Sequence, residues 1–347
     1  MLQIRRSRQL IIFLFLLPIV LSFGDEESET VPSYFAVSGV PWTGQVWNNC
    51  GPANLAQVMN YWGWDGNQFD IESVIRPNQN DPHVGIAELA GFARSAGLDV
   101  HVLEYADMHD LKSAVSSGKP VLVPTWHVDG DGEQMGHYRT VYGYDDNVSV
   151  VFIRDTLEGP DVVMAYSDFK HLWAVFDCRI LIVSSGTEPE PDPKWNGEFQ
   201  VSGSVPLLTN LPNKEQATAL ELFAKGVEAY ALGNPERAVA MIELSRSRYL
   251  PWRIWWYRPE ALAAYISLGQ FHTVLDITGK ALRSYPYSEE LFYWRARAFD
   301  GMGESGKALE ALSESNELRA GWLDPGLLNP FSKSVEEGFP SIGLVFD

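Results

Sequence analysis

The sequence predicts two folded regions in series, an α+β region over residues 33–185 and an all-α region over residues 213–322. Three observations predict it. Residues 33–185 mix apolar runs of helical period with short alternating runs of strand type, whereas residues 213–322 keep the helical period almost throughout. Between the two, Glu188-Pro189-Glu190-Pro191-Asp192-Pro193 alternates proline with charge, a pattern that forms neither helix nor central strand and favours a stiff, solvated polyproline segment. Residues 186–199 are accordingly read as a linker and residues 323–347 as a C-terminal tail. The chain has 347 residues, 46% hydrophobic and 20% charged, enough for about two ordinary domains with real cores. Forty-five acidic against 26 basic side chains give a net charge of -19, which repels phosphate backbones and argues against nucleic-acid binding.

The first element is a secretory signal over residues 1–24. Arg5, Arg6 and Arg8 precede an unbroken apolar run from Leu10 to Leu21, and Ser22-Phe23-Gly24 places small residues where a signal peptidase cuts. The 12 apolar residues, interrupted by Pro18, fall short of the ~20 that span a bilayer. The expectation is a secreted, periplasmic or otherwise extracytoplasmic protein with no stable membrane insertion after cleavage, anchored only if the signal stays uncut.

Gln45-Val46-Trp47-Asn48-Asn49-Cys50-Gly51-Pro52 leads into an apolar-periodic stretch from Leu55 to Tyr61, with Pro52 in the first turn, where a missing amide hydrogen costs little. Cys50 therefore sits at a helix N-terminus. The unpaired amides and the dipole there favour an anion, which lowers a thiol's pKa and supplies thiolate as a nucleophile. Gln45, five residues upstream, is placed to donate its side-chain amide, beside the Cys50 backbone N–H, to an oxyanion.

A thiolate also needs a base and an orienting acid. His137 to Tyr144 and Val148 to Arg154 both read as strands, joined by the turn-forming Asp145-Asp146-Asn147. A three-residue loop centred on Asp146 pairs residues whose numbers sum to 292, which sets His137 directly opposite Asp155. His127, at the end of the apolar strand Val121 to Trp126, is the second choice of base because no acid opposes it. His83, His101, His109, His171 and His272 read as surface groups, and Trp47 and Trp126 as aromatics that pack or wall the cleft. Leu172 to Val183 reads as a closing apolar strand that buries a free Cys178. Two cysteines, no HExxH and no CxxC leave metal and cofactor chemistry without sequence support.

Gln45, Cys50, His137 and Asp155 in this order, with a Cys-Gly-Pro helix start, resemble the papain-like peptidases of the bacteriocin-processing family, peptidase family C thirty-nine, in stand-alone form. The likeness takes in Val84-Gly85-Ile86 entering a helix, Gly97-Leu98 ending it, the Gly118 to Val123 strand and the closing Gly143-Tyr144-Asp145. It implies a papain-like α+β cysteine peptidase domain, an N-terminal helix packed on an antiparallel sheet, over residues 33–185. It also implies amide hydrolysis with Cys50 as nucleophile, His137 as base, Asp155 as orienter and Gln45 as oxyanion donor. The double-glycine leader specificity of the transporter-linked members is not carried over. A non-catalytic peptide-binding module and an acyltransferase acting on amines are the alternatives of the same fold.

In the second region Leu232-Gly233-Asn234, Leu268-Gly269-Gln270 and Met302-Gly303-Glu304 recur at intervals of 36 and 34 residues, each glycine parting two amphipathic stretches. This resembles three tetratricopeptide repeats, with Gly226, Leu262 and Ala296 at the small early position of each first helix, and implies a protein partner held by the array. Trp252, Trp255, Trp256 and Tyr257 are expected to pack between repeats or against the first region rather than to bind a ligand.

Overall fold

A computed structural model describes residues 31–81, 83–186, 208 and 210–319. The predicted signal at 1–24, the linker residues 187–199 and the tail at 323–347 lie outside the described residues. No helix among the described residues is long and apolar enough to cross a membrane.

The first region runs β1 (Tyr34–Ala36), α1 (Cys50–Tyr61), α2 (Gln68–Ile75), α3 (Ile86–Ser95), β2 (Asp99–Leu103), α4 (Met108–Ser116), β3 (Val121–Val128), β4 (Gln134–Asp145), β5 (Val150–Asp155), β6 (Gly159–Ala165), α5 (Tyr166–Ala174) and β7 (Ile180–Ser184). The strands make one antiparallel sheet in the order β2-β7-β3-β4-β5-β6, with β1 on the far end of β4. This is the α+β arrangement expected from the sequence. Leu55, Val58 and Met59 of α1 and Ile71, Leu89 and Ala93 of α2 and α3 close a core against Leu122, Tyr138, Leu181 and Val183 of the sheet. Apolar burial of this kind is worth about 25 cal/mol per Å² and fixes where α1, and so Cys50, sits. Gly51 lets α1 come close: a Cβ there would stand 3.3 Å from the Tyr138 ring.

One expected element is corrected. Leu172 to Cys178 is not strand; α5 occupies Tyr166–Ala174, and a tight turn follows in which Asp177 and Cys178 both take positive φ, at 54° and 47°. The apolar run satisfies a buried helix face as readily as a strand, because Phe169, Leu172 and Trp173 fall at helical spacing. Cys178 is free and only partly buried.

The second region contains α6 (Lys214–Ala231), α7 (Pro235–Arg246), α8 (Ile254–Tyr257), a 3₁₀ turn at Pro259–Ala261, α9 (Leu262–Ser267), α10 (Phe271–Ser284), α11 (Glu289–Gly301) and α12 (Ser305–Leu318). Gly233, Gly269 and Gly303 all sit at helix ends with positive φ, where a side chain would be strained. A Cβ on Gly226 would collide with Ile242, so its hydrogen lets α6 and α7 touch. The two regions share a core that joins Val123, Trp126 and Phe176 to Phe223, Ile254 and Trp255. Polar contacts cross as well. Arg258, fully buried, donates to the Val175 carbonyl and, at 2.7 Å, to Asp177 Oδ2; Arg253 meets Glu133 at 2.6 Å.

Candidate active site

The site is built where the N-terminus of α1 meets the middle of β4. Asn48, in the left-handed region at φ 55°, turns the chain into Asn49, the residue that caps α1, and Cys50 opens the helix. Asn49 is buried and held through its Nδ2 by Gln68 at 3.0 Å. The backbone N–H groups of Gly51 and Tyr138 and the side chain of His137 all hydrogen-bond the Cys50 sulfur. Burial alone would push this thiol up, but the imidazole's hydrogen bond and charge and the two amides outweigh it, and the thiol lies below its ordinary value.

His137 places Nε2 2.8 Å from Asp155 Oδ1, which leaves Nδ1 as the ring nitrogen for the sulfur. Burial pulls the imidazole down, but the Asp155 charge and hydrogen bond and the Cys50 contact overcome it, raising the group to about 9. Asp155 has no exposed surface. Burial would raise its carboxyl, yet His137, Arg139 and the amide of Leu157 hold it far below the carboxylate range. Its Oδ2 accepts from Arg139 Nε at 2.8 Å, and Oδ1 also accepts from the Leu157 and Glu158 amides. With Cys50 as thiolate and His137 protonated, the charges of Cys50, His137, Asp155 and Arg139 sum to zero. That balance is what allows four ionised groups to share a buried site.

The strand register differs from expectation. Thr140 pairs with Arg154 and Val141 with Ile153, a sum of 294 rather than 292, so the ladder continued one step puts Arg139, not His137, opposite Asp155. The connection is longer than three residues, since Asp145 pairs with Val150, and a bulge then follows between Val141 and Gly143. A slip of two keeps every side chain on its face. His137 therefore stays beside Asp155 as a diagonal neighbour, and Arg139 takes the direct position.

Gln45 is tied to the same corner: its backbone N–H donates to the Thr156 carbonyl at 2.9 Å and its side-chain Oε1 accepts from Thr156 Oγ1 at 2.8 Å. Asn54 of α1 donates to that same hydroxyl at 3.0 Å, so Thr156 links Gln45, α1 and the end of β5. Occupation of Oε1 leaves the Gln45 NH₂ group as the free end of the amide. Trp42 donates its indole N–H to the Asp155 carbonyl at 2.8 Å.

His127 does not reach Cys50 as the base. Its Nδ1 accepts from Arg139 Nη2 at 2.9 Å, and burial first, then the charges of His137 and Arg139, lower it to about 2. His83 is not a surface group: it lines the cavity at Cys50 and burial lowers it to about 4. Trp126 is buried against Phe176 and Tyr257, whereas Trp47 is 90% exposed and walls nothing. The cavity at Cys50 measures about 30 Å³, room for a water, and Asn48, His83, Pro124, Tyr138 and Tyr257 border it.

Sequence reasoning missed Arg139, Thr156 and Trp42, and it expected Tyr257 to pack between repeats or against the first region without placing it at the cavity. Arg139 was open to discovery, since it alternates with His137 on one strand face; for Tyr257 no local pattern says which part of the first region it meets.

No curated protein matches this chain. Among solved structures, a C39-like peptidase from Bacillus anthracis is 18% identical with a TM-score of 0.37, over 45% of this chain and 100% of that one. The peptidase domain of Streptococcus ComA, a bifunctional ABC transporter involved in quorum sensing, is 19% identical with a TM-score of 0.34, over 42% of this chain and 98% of that one. Residues 37–179, which contain Cys50, His137 and Asp155, match the model of the Peptidase_C39 like family.

Proposed function

We propose that the chain is an extracytoplasmic cysteine peptidase that hydrolyses peptide or related amide bonds through Cys50, His137 and Asp155, and that its helical region acts as tetratricopeptide repeats that seat a protein partner. The observation that carries the reading is the relay itself: a cysteine at a helix N-terminus hydrogen-bonded to an imidazole whose other nitrogen is 2.8 Å from a buried carboxylate.

The Cys50 thiolate attacks the carbonyl carbon, and a C–S bond forms as the carbonyl π pair moves to oxygen. The Cys50 N–H, unpaired within the helix by position, and the Gln45 NH₂ receive that oxyanion. His137 passes its Nδ1 proton to the departing amine as the C–N bond breaks, leaving a thioester. Water then attacks with His137 taking its proton, and the C–S bond breaks to restore thiolate and imidazolium. Asp155 holds the ring by Nε2 throughout and Arg139 keeps Asp155 ionised and fixed. Tyr257 borders the cavity at Cys50, so its ring is one wall that a substrate would meet.

The test is labelling of the intact protein with a thiol-directed acylating probe, followed by peptide-library cleavage, each beside Cys50→Ala. Cys50-dependent labelling and cleavage support the enzyme. Labelling without cleavage of any library peptide would give the binding-module reading the lead.

A further inference from the structure

The molecule buries a second group of charged side chains away from Cys50, at the seam between the two regions. Asp81, from the loop before α3, meets Glu289 and Glu290 of the first turn of α11, and one carboxylate oxygen from each lies within 4.8 Å of the others. They are 2%, 1% and 8% exposed. Three carboxylates this close and this dry repel one another unless protons or a cation stand between them.

The nearby partners leave that need unmet. The His83 amide donates to Asp81 Oδ1 at 2.9 Å and Ser288 Oγ to Glu290 Oε2 at 2.9 Å, so each of these carboxylates has one oxygen engaged by a neutral donor. Arg319 lies 3.5 Å from Glu289 Oε1 but is shared with Glu88, and Arg76 is paired to Glu72. Glu289 Oε2 is buried with no hydrogen-bond partner at all. A buried carboxylate oxygen without a donor is uncommon, because its desolvation is uncompensated.

We propose that Asp81, Glu289 and Glu290 bind a hard divalent cation, of which calcium is the type. The donor set is oxygen only, which suits calcium and excludes the softer metals that prefer nitrogen or sulfur. Three carboxylates beside one arginine that Glu88 also engages leave the cluster at least two charges negative, which one such ion offsets. The ion joins chain segments about 200 positions apart and clamps α11 to the loop before α3. That loop borders the reactive cleft, since Asp81 also accepts from Asn48 through its carbonyl at 2.7 Å, and Asn48 and His83 both line the cavity at Cys50.

The experiment uses the full chain stripped with chelator and titrated with calcium and with terbium, read by calorimetry, by terbium emission sensitised by the neighbouring tyrosines, and by thermal unfolding. One ion per chain and a melting temperature raised by roughly 3–6 °C in millimolar calcium are expected. Glu290→Gln should weaken binding at least tenfold and abolish the thermal shift, and Glu289→Gln should do the same. Absence of binding by the unaltered chain at millimolar calcium overturns the proposal, and that measurement stands even if a variant fails to fold. Binding that both variants leave unchanged overturns it as well, because the ion then sits elsewhere. Activity is not a readout, so the outcome is independent of whether Cys50 proves catalytic.

Discussion

Two buried charge clusters in this molecule are built by opposite rules. Around Asp155 each charge faces an opposite one: His137 and Arg139 hold the two carboxylate oxygens, and the sulfur of Cys50 faces the imidazole. Around Glu289 two further acids crowd in against a single arginine, and burial together with the Glu290 and Asp81 charges pushes its carboxyl upward. In the first cluster desolvation is beaten and every group stays ionised; in the second the chain's own cations do not answer all three acids, which is the need the proposed metal ion would meet. The first also lies within one region, on α1, β4 and β5, whereas the second needs two regions to dock. Complementary sign, rather than burial, decides whether a buried acid is charged.

The largest expected effect breaks the first cluster. His137→Ala removes the base and the cation that holds the thiolate, so acyl transfer should fall by about 10³-fold or more. The same change should shift the pH at which Cys50 alkylates. In the unaltered chain the thiol is depressed and His137 titrates near 9, so labelling rises with pH through the lowered thiol value and turnover falls as His137 loses its proton above about 9. Without His137, only burial and the amides remain, and labelling should move to higher pH. Coincident alkylation profiles would mean that the two side chains are not an ion pair.

A third cluster sharpens the comparison, because it is balanced like the first yet spans both regions like the second. Arg258, fully buried, and Arg179 together bind Asp177 of the sheet region and Glu260 of the helical one. Arg258→Ala leaves both acids to Arg179 and should cost about 3 kcal/mol in urea unfolding, the low end for a broken buried pair. A single transition that shifts as a whole would show that the regions unfold together. A shift confined to one of two separate transitions would show that they are autonomous, as the proline-acid linker suggested.

These clusters also mark how much the sequence could say. Cys50 at a helix start, its glutamine five residues back and the two strands carrying His137 and Asp155 were legible because each depends on local pattern. The register was off by two, since loop length and the bulge after Val141 depend on how β1 and β5 both close on β4. Parity survived, which is why His137 still meets Asp155. Leu172 to Cys178 misled because a fully apolar run has no period to separate strand from helix. Tyr257 was read only as an aromatic that packs between repeats or against the first region, and Arg258 and the Asp81, Glu289 and Glu290 group could not be read at all: nothing local says which surface α8 or α11 meets.

A smaller effect falls on Gln45. Its carbonyl oxygen is committed to Thr156, so only its NH₂ can serve the oxyanion. Gln45→Ala should leave probe labelling nearly intact while slowing acyl transfer by about 100-fold, the usual cost of one such donor. If turnover is unchanged, the Cys50 amide suffices and Gln45 only braces the Thr156 corner.

The smallest effect tests whether the helical region really rests on the cleft. Gly136 lies on β4 next to His137, and a Cβ there would stand 2.8 Å from Tyr257 Cδ1 and 3.0 Å from Phe176 Cζ. Overpacking of this kind costs about 1–3 kcal/mol, whereas an alanine in an unobstructed strand would be neutral or slightly stabilising relative to glycine. Gly136→Ala should therefore lower stability, and Tyr257→Ala should open the cavity and quicken labelling of Cys50 by a bulky probe. In the double variant the alanine methyl has lost its main obstacle, so the two costs should sum to less than their parts by about 1 kcal/mol or more. Strict additivity would mean that residue 136 and residue 257 do not touch in solution. The cleft would then lie open beside α1, and the helical region's seat over Cys50 would have to be abandoned while the Cys50, His137 and Asp155 relay, made entirely within the sheet region, stood unaffected.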